Sequence, residues 1–201
     1  MINSDFLKFL NSAQKRAVTH LDGPLLIVAG AGSGKTKVLT SRIANLIKEK
    51  KAFPNQILAV TFTNKAAKEM QTRVSHILGS KAVGLSWLGT FHSICAKLLR
   101  KHASAVNLNS NFTIIDTDDQ IRLVKNICKA ENIDVTQLAT RYILAIIDRW
   151  KNKGLYPNEV TVSHKDIYEK TVLPLYKIYQ QKLTDLNSCD FGDLILHVVK
   201  I

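Results

Sequence analysis

Nowhere in the 201 residues does an apolar run approach the ~20 that a membrane-spanning helix requires, and the start, MINSDFLKFL, lacks the apolar core of a secretory signal. The sequence therefore reads as a cytoplasmic, globular chain with no membrane span. Acidic residues are scarce too: 16 Asp+Glu face 28 Lys+Arg, a formal net charge of +12. An excess of that size points to a polyanion, either nucleic acid or an acidic surface, and charge alone does not choose between them. Cysteine is thin. Cys95, Cys128 and Cys189 lie far apart without metal-ligand spacing, which argues against a zinc site or disulfide framework and for packed, reduced thiols. No Asp-Glu dipeptide, internal repeat or low-complexity tract occurs. What is present, at 46% hydrophobic residues, is ample for a core of one large or two small domains.

The most informative stretch is Ala29-Gly30-Ala31-Gly32-Ser33-Gly34-Lys35-Thr36, preceded by the apolar run Leu25 to Val28 and followed by Val38, Leu39, Ile43, Leu46 and Ile47 at helical spacing. The pattern predicts a strand, a glycine-rich turn and a helix. Such a turn aims successive N–H groups at a phosphate, and the helix N-terminus adds its dipole. Lys35 then reaches the β/γ-phosphates, and the Thr36 hydroxyl serves Mg²⁺. Ala29 stands where the usual pattern has glycine, and its side chain is the next smallest. Binding of a nucleoside triphosphate follows.

Upstream, Asn11 or Ser12 can cap a short helix carrying Gln14, whose amide both donates and accepts and so suits a purine edge. Ile57 to Thr61 reads as a second, doubly covered parallel strand, with Phe62-Thr63-Asn64-Lys65 at its carboxyl end, where open α/β sheets place ligands. A helix follows, with Lys65, Lys68 and Arg73 on it. Phe62 suits either stacking on unpaired bases or packing in the core. A third strand is expected over Val83 to Trp87, linked by Gly89-Thr90-Phe91-His92-Ser93 to a helix with inner face Phe91, Ile94, Cys95, Leu98 and Leu99. Thr90 and Ser93 can bond phosphates; His92, with no nucleophile or carboxylate beside it in sequence, is given no catalytic role.

Phe112 to Asp116 is a short apolar strand ending in a carboxylate, which fits either a Walker B strand or an ordinary strand entering a helix capped by Thr117 in a box with Gln120. Beyond it the periodicity is helical. Tyr142, Ile143, Ile146, Ile147 and Trp150 mark one helix, ended by Gly154 and Pro157, and Ser163 to about Leu186 another, which Pro174 should break or kink. The expected division is thus residues 1–110, α/β, and 111–201, all-helical.

In this order the motifs resemble the UvrD/Rep/PcrA-type superfamily I DNA helicases. LNSAQ looks like the family's Q motif, AGAGSGKT its Walker A, AVTFTNKAAKEM its motif Ia, GTFHS its motif Ib and DFGDLI its DFxDL segment. The resemblance implies a RecA-like P-loop NTPase sheet, left incomplete, followed by a helical inserted domain that contacts DNA. It implies ATP and Mg²⁺ as cofactors, with Gln14 reading adenine, Ala29 to Thr36 cradling the phosphates, Lys35 and Thr36 as catalytic groups, and Thr36 on the metal. Lys37 stands where the family usually has an arginine against the adenine, and a lysine stacks less well. Phe62, Asn64, Thr90, Phe91 and His92 are implied to line a single-stranded DNA track.

The sequence stops at Ile201, past DFGDLI and before the family's Asp-Glu motif, and on that comparison Asp116 falls outside Walker B. The expected function is the N-terminal ATP- and single-stranded-DNA-binding part of a 3′-to-5′ helicase of DNA repair or replication. It would act at single-strand/duplex junctions and be inactive alone, whether as a split gene product completed by a separately encoded C-terminal portion, a truncated gene or an expressed fragment. The alternative is a stand-alone, non-catalytic module that binds single-stranded DNA or a protein partner.

Overall fold

A computed structural model describes residues 4–133, 138–163 and 166–201, a mixed α/β chain in two compact units, Met1–Ile94 and Cys95–Ile201. Among the described residues no helix is long and apolar enough to cross a membrane.

The first unit opens with a 3-10 segment, Ser4–Phe9, then α1 (Ser12–Thr19), α2 (Lys35–Lys48), β1 (Ala59–Thr61), α3 (Asn64–Leu78), β2 (Leu88–Thr90) and the start of α4 (Phe91–Lys101). Asn11 caps α1: its side chain accepts from the Gln14 N–H, and the Gln14 side chain accepts from the Asn11 N–H. Each bond satisfies a donor that a helix start otherwise leaves open. The core gathers Val18 of α1, Val38 and Ile43 of α2, and Met70, Val74 and Leu78 of α3 over Ala59 and Leu88 of the sheet. The i, i+4, i+8 spacing of Met70, Val74 and Leu78 places them on one face of α3.

Two strand expectations are corrected here. Leu25 to Val28 has no ladder partner among the described residues, and its side chains alternate in exposure, 40, 87, 39 and 87%. The alternation is that of an extended run, but a strand needs a neighbour. Val83 to Trp87 is a chain of turns, with Gly84 at φ +97°, and the strand comes just after it at Leu88–Thr90. β1 and β2 pair in parallel, Ala59 with Leu88, Val60 with Gly89 and Thr61 with Thr90.

In the second unit, β3 (Thr113–Ile114) pairs in parallel with β4 (Ser188–Cys189), and around them run α5 (Thr117–Ala130), α6 (Thr140–Asn152), α7 (Ile167–Asp185) and α8 (Phe191–Lys200). Ile143, Ile147 and Trp150 of α6 pack with Val172, Tyr176, Tyr179 and Leu183 of α7 and Val124 and Cys128 of α5. The cap of α5 is Asp116, accepting from the Asp119 N–H at 2.9 Å, and not Thr117. Pro174 does not interrupt α7: it sits inside the helix on its exposed face. All three cysteines are free and buried.

Candidate functional site

Gly34 (φ +86°) precedes the first turn of α2 and offers no side-chain cap, so the N–H groups there remain for a ligand. Gly32 is also left-handed, at φ +75°. Together they turn the chain back over itself, and the Ser33 hydroxyl locks the turn by donating to the Gly30 carbonyl at 2.7 Å. The Lys35 ammonium folds across the loop and donates to the Ala29 and Gly30 carbonyls, both at 2.7 Å. Thr36 is exposed in the first turn, and Ala29, Gly30, Ala31 and Gly32 are exposed as well.

Two residues expected near a nucleobase make contacts that the sequence did not suggest. Gln14 donates from Nε2 to the Ser33 carbonyl at 3.0 Å, tying α1 to the loop. A Cβ added at Gly34 would lie 2.9 Å from that same Nε2, a contact the flexible end of Gln14 can relieve by shifting, so it is the φ of +86° that calls for glycine here. Lys37 donates to the Phe9 carbonyl. The donors of the α2 start, Lys35 and Thr36 fit a triphosphate. Among the described residues no group of three His, Cys, Asp or Glu side chains stands together.

A second cluster forms at the carboxyl ends of β1 and β2. Because Thr61 pairs with Thr90, the next residues, Phe62 and Phe91, meet, with ring centroids 5.5 Å apart and planes at 44°. Phe62 is 89% exposed and Phe91 40%, so neither belongs to the core, and Phe91 is not on the inner face of α4. Asn64 opens α3 behind the Thr63 cap, with Lys65 and Lys68 exposed on the next turns. His92 is exposed in the first turn of α4. Thr90 is buried and its hydroxyl accepts from the Ser93 N–H at 3.2 Å, while the Ser93 hydroxyl accepts from the Thr90 N–H at 2.9 Å. These hydroxyls cap α4, which accounts for both residues without a phosphate.

A buried charge cluster in the second unit was missed by sequence reasoning. Lys151 of α6 bridges Asp190 at 2.6 Å and Asp193 at 2.7 Å, and all three are essentially without solvent contact. Tyr179 donates to Asp190 and Gln180 to Asp193. DFGDLI therefore begins with a helix cap, Asp190, boxed with Asp193 at the start of α8. Burial works against the Lys151 charge, yet Asp193 and Asp190 outweigh it and push its pKa up. Burial also raises Asp193, and although it opposes ionisation of Asp190 as well, the Lys151 ammonium holds that group below its usual value. His197 shares a 2.6 Å hydrogen bond with Tyr156 and is pushed down by burial. The only sequence signal was a lysine inside an apolar helix face, with partners 39 and 42 positions away.

The family described as UvrD/REP helicase N-terminal domain matches residues 10–201. The chain is 50% identical to a probable DNA helicase II homolog of Rickettsia conorii over 98% of its own length and 30% of that protein's. It is 46% identical to the ATP-dependent DNA helicase PcrA of Bacillus subtilis over 100% of its length and 27% of that protein's, and 45% identical to PcrA of Staphylococcus epidermidis over 97% and 27%. The chain thus spans less than a third of the curated relatives it matches.

Proposed function

The chain belongs to the UvrD/REP helicase N-terminal domain family, and we propose that it is the ATP- and single-stranded-DNA-binding part of an ATP-dependent 3′-to-5′ DNA helicase, with residues 1–110 as a RecA-like ATP-binding domain and 111–201 as a helical, DNA-contacting one. The observation that carries this reading is the uncapped start of α2 behind two left-handed glycines, with Lys35 and Thr36 in its first turn. Phosphate oxygens would replace the Ala29 and Gly30 carbonyls as partners of the Lys35 ammonium, and the α2 N–H groups would hold the same oxygens. Thr36 would hold Mg²⁺, which supplies charge neutralisation on the phosphates when bound. Gln14 and Lys37 would face the adenine.

Single-stranded DNA is the second ligand of this reading. Exposed aromatics at Phe62 and Phe91, with Asn64, Thr90 and His92 nearby in the chain, suit stacking on unpaired bases, and the basic edge of α3 suits the backbone. Thr90, whose side chain caps α4, would contribute through its place in that turn. Junctions of single strand and duplex are the proposed substrate, DNA repair or replication the proposed setting, and the cytoplasm the proposed location.

Hydrolysis needs a carboxylate-held metal, an oriented water and cations on the developing charge. The candidate site of this chain supplies the phosphate cradle and Lys35, so the chain alone is proposed to bind nucleotide weakly and to show no DNA-stimulated turnover. Leu25 to Val28 is where a strand from the rest of a longer or separately encoded polypeptide would complete the sheet. The test is titration of the chain with a ribose-labelled fluorescent ADP in the presence of Mg²⁺. Binding that Lys35→Ala removes supports the proposal; equal binding by both proteins overturns it.

A further inference from the structure

Between the Ser4–Phe9 segment, α2 and α3, all within the first unit, lies a cavity of about 410 Å³. It opens on the face of α2 that carries Lys37, Thr40 and Ser41, whereas Arg42 and Asn45, on another face, bond to the Ala17 and Val18 carbonyls of α1. The cavity is thus separate from the contact of α1 with the glycine-rich loop. Its walls are mostly apolar, formed by Phe6, Phe9 and Ile77. At its buried end Ser41 is 2% exposed, and its hydroxyl has no hydrogen-bond partner among the described residues. The carbonyl that a serine in a helix turns to, four residues back at Lys37, already accepts from the Thr40 hydroxyl at 3.1 Å. A buried hydroxyl left in this way calls for a partner inside the cavity. Lys37, Arg73 and His76 complete the lining, and among the described residues no carboxylate lines it. Arg73 pairs with Glu69, which occupies one of the five donors of its guanidinium.

We propose that this cavity binds a small aromatic monoanion, a carboxylate or sulfonate, with its ring against Phe6, Phe9 and Ile77, its charge at Lys37 and Arg73, and a polar atom on the Ser41 hydroxyl. The volume is that of a small-molecule pocket, and apolar walls with a few convergent polar groups are how such pockets hold and orient a ligand. A neutral hydrocarbon would leave the cations and the Ser41 hydroxyl unused. A nucleotide would set its sugar and phosphates against apolar walls, which is costly. One negative charge on a ring satisfies both ends of the cavity.

The experiment is fluorescence titration of the whole chain with 8-anilinonaphthalene-1-sulfonate and with its uncharged counterpart, N-phenyl-1-naphthylamine. Wild type is expected to bind one sulfonate per chain with a Kd on the order of 10–100 µM, the level that ligand efficiency sets for a dye of this size. Replacing both Arg73→Gln and His76→Gln should weaken the sulfonate ~5–10-fold and the neutral amine less than ~2-fold, and the retained amine shows that the cavity is intact. Thr72→Trp at the exposed mouth and Ser41→Leu at the buried end should each remove binding of both probes. Amide shifts on adding the sulfonate should fall on Phe9, Ser41, Arg73 and Ile77. The proposal is overturned if wild type binds no sulfonate, if the charge variant weakens both probes alike, if Thr72→Trp binds as wild type does, or if the amide shifts fall on residues 25–36 instead, which would place the dye on the exposed run and its loop.

Discussion

The two units of the chain carry similar numbers of basic residues and very different numbers of acidic ones. Residues 1–94 hold 13 Lys+Arg against 4 Asp+Glu, whereas residues 95–201 hold 15 against 12. Most of the basic excess therefore lies in the unit that contains the glycine-rich loop and the Phe62–Phe91 pair. The same unit leaves apolar side chains from Leu25 to Val28 exposed and pairs only two three-residue strands among its described residues. The second unit does the reverse: it encloses a helical core and even shuts an ion cluster inside it. The open donors and apolar edge of the first unit suit the nucleotide binding proposed for it, at a cost in stability, while the core of the second unit uses its polar groups on itself.

The largest effect should come from breaking the closed side of this contrast. Lys151→Ala removes the counter-ion of two buried carboxylates and should cost about 3–5 kcal/mol, read by urea unfolding at neutral pH. A loss below about 1 kcal/mol would mean that the cluster is solvated in solution. On the open side, Phe62→Ala should leave stability nearly unchanged but weaken binding of single-stranded DNA by ~1–3 kcal/mol, with little change in its salt dependence. If stability fell instead and DNA affinity did not, Phe62 would belong to the core after all.

A smaller effect concerns pH. His197 titrates below its unfolded value, so the unfolded chain takes up its proton first and the stability due to this group, complete above about pH 6.5, is lost as pH falls through the folded value. Asp193, raised by burial, acts in the opposite sense. The informative quantity is therefore the difference between wild type and His197→Asn over pH 8 to 5, which should shrink on acidification; a difference independent of pH would contradict the assignment. Smallest of all, Arg122→Ala breaks an exposed pair with Asp119 and should change stability by less than ~0.5 kcal/mol.

Much of this contrast could be read from residue order. The glycine-rich turn, the caps that Asn11 and its neighbours promise, and the helices of the second unit follow from local chemistry, and local chemistry is what a sequence displays. Strands depend on neighbours. Leu25 to Val28 has the right composition but no ladder among the described residues, and Val83 to Trp87 yielded to turns at Gly84 while the strand formed just after it, at Leu88–Thr90. Whether Phe62 packs or projects was likewise undecidable until β1 and β2 were paired. Least legible was the role of DFGDLI, because Asp190 and Asp193 take their meaning from Lys151, on another helix 39 and 42 positions back in the chain.

Amide hydrogen exchange of the chain, with and without Mg²⁺ and ADP, bears on the contrast most directly. In the absence of nucleotide, α6 to α8 should exchange slowly and Leu25 to Thr36 rapidly; adding nucleotide should protect residues 29–38 and leave α7 unchanged. Amides of Leu25 to Val28 as slow as those of α7 without ligand, or no added protection at 29–38 with it, would contradict the contrast between an open glycine-rich loop that takes up nucleotide and a closed helical core.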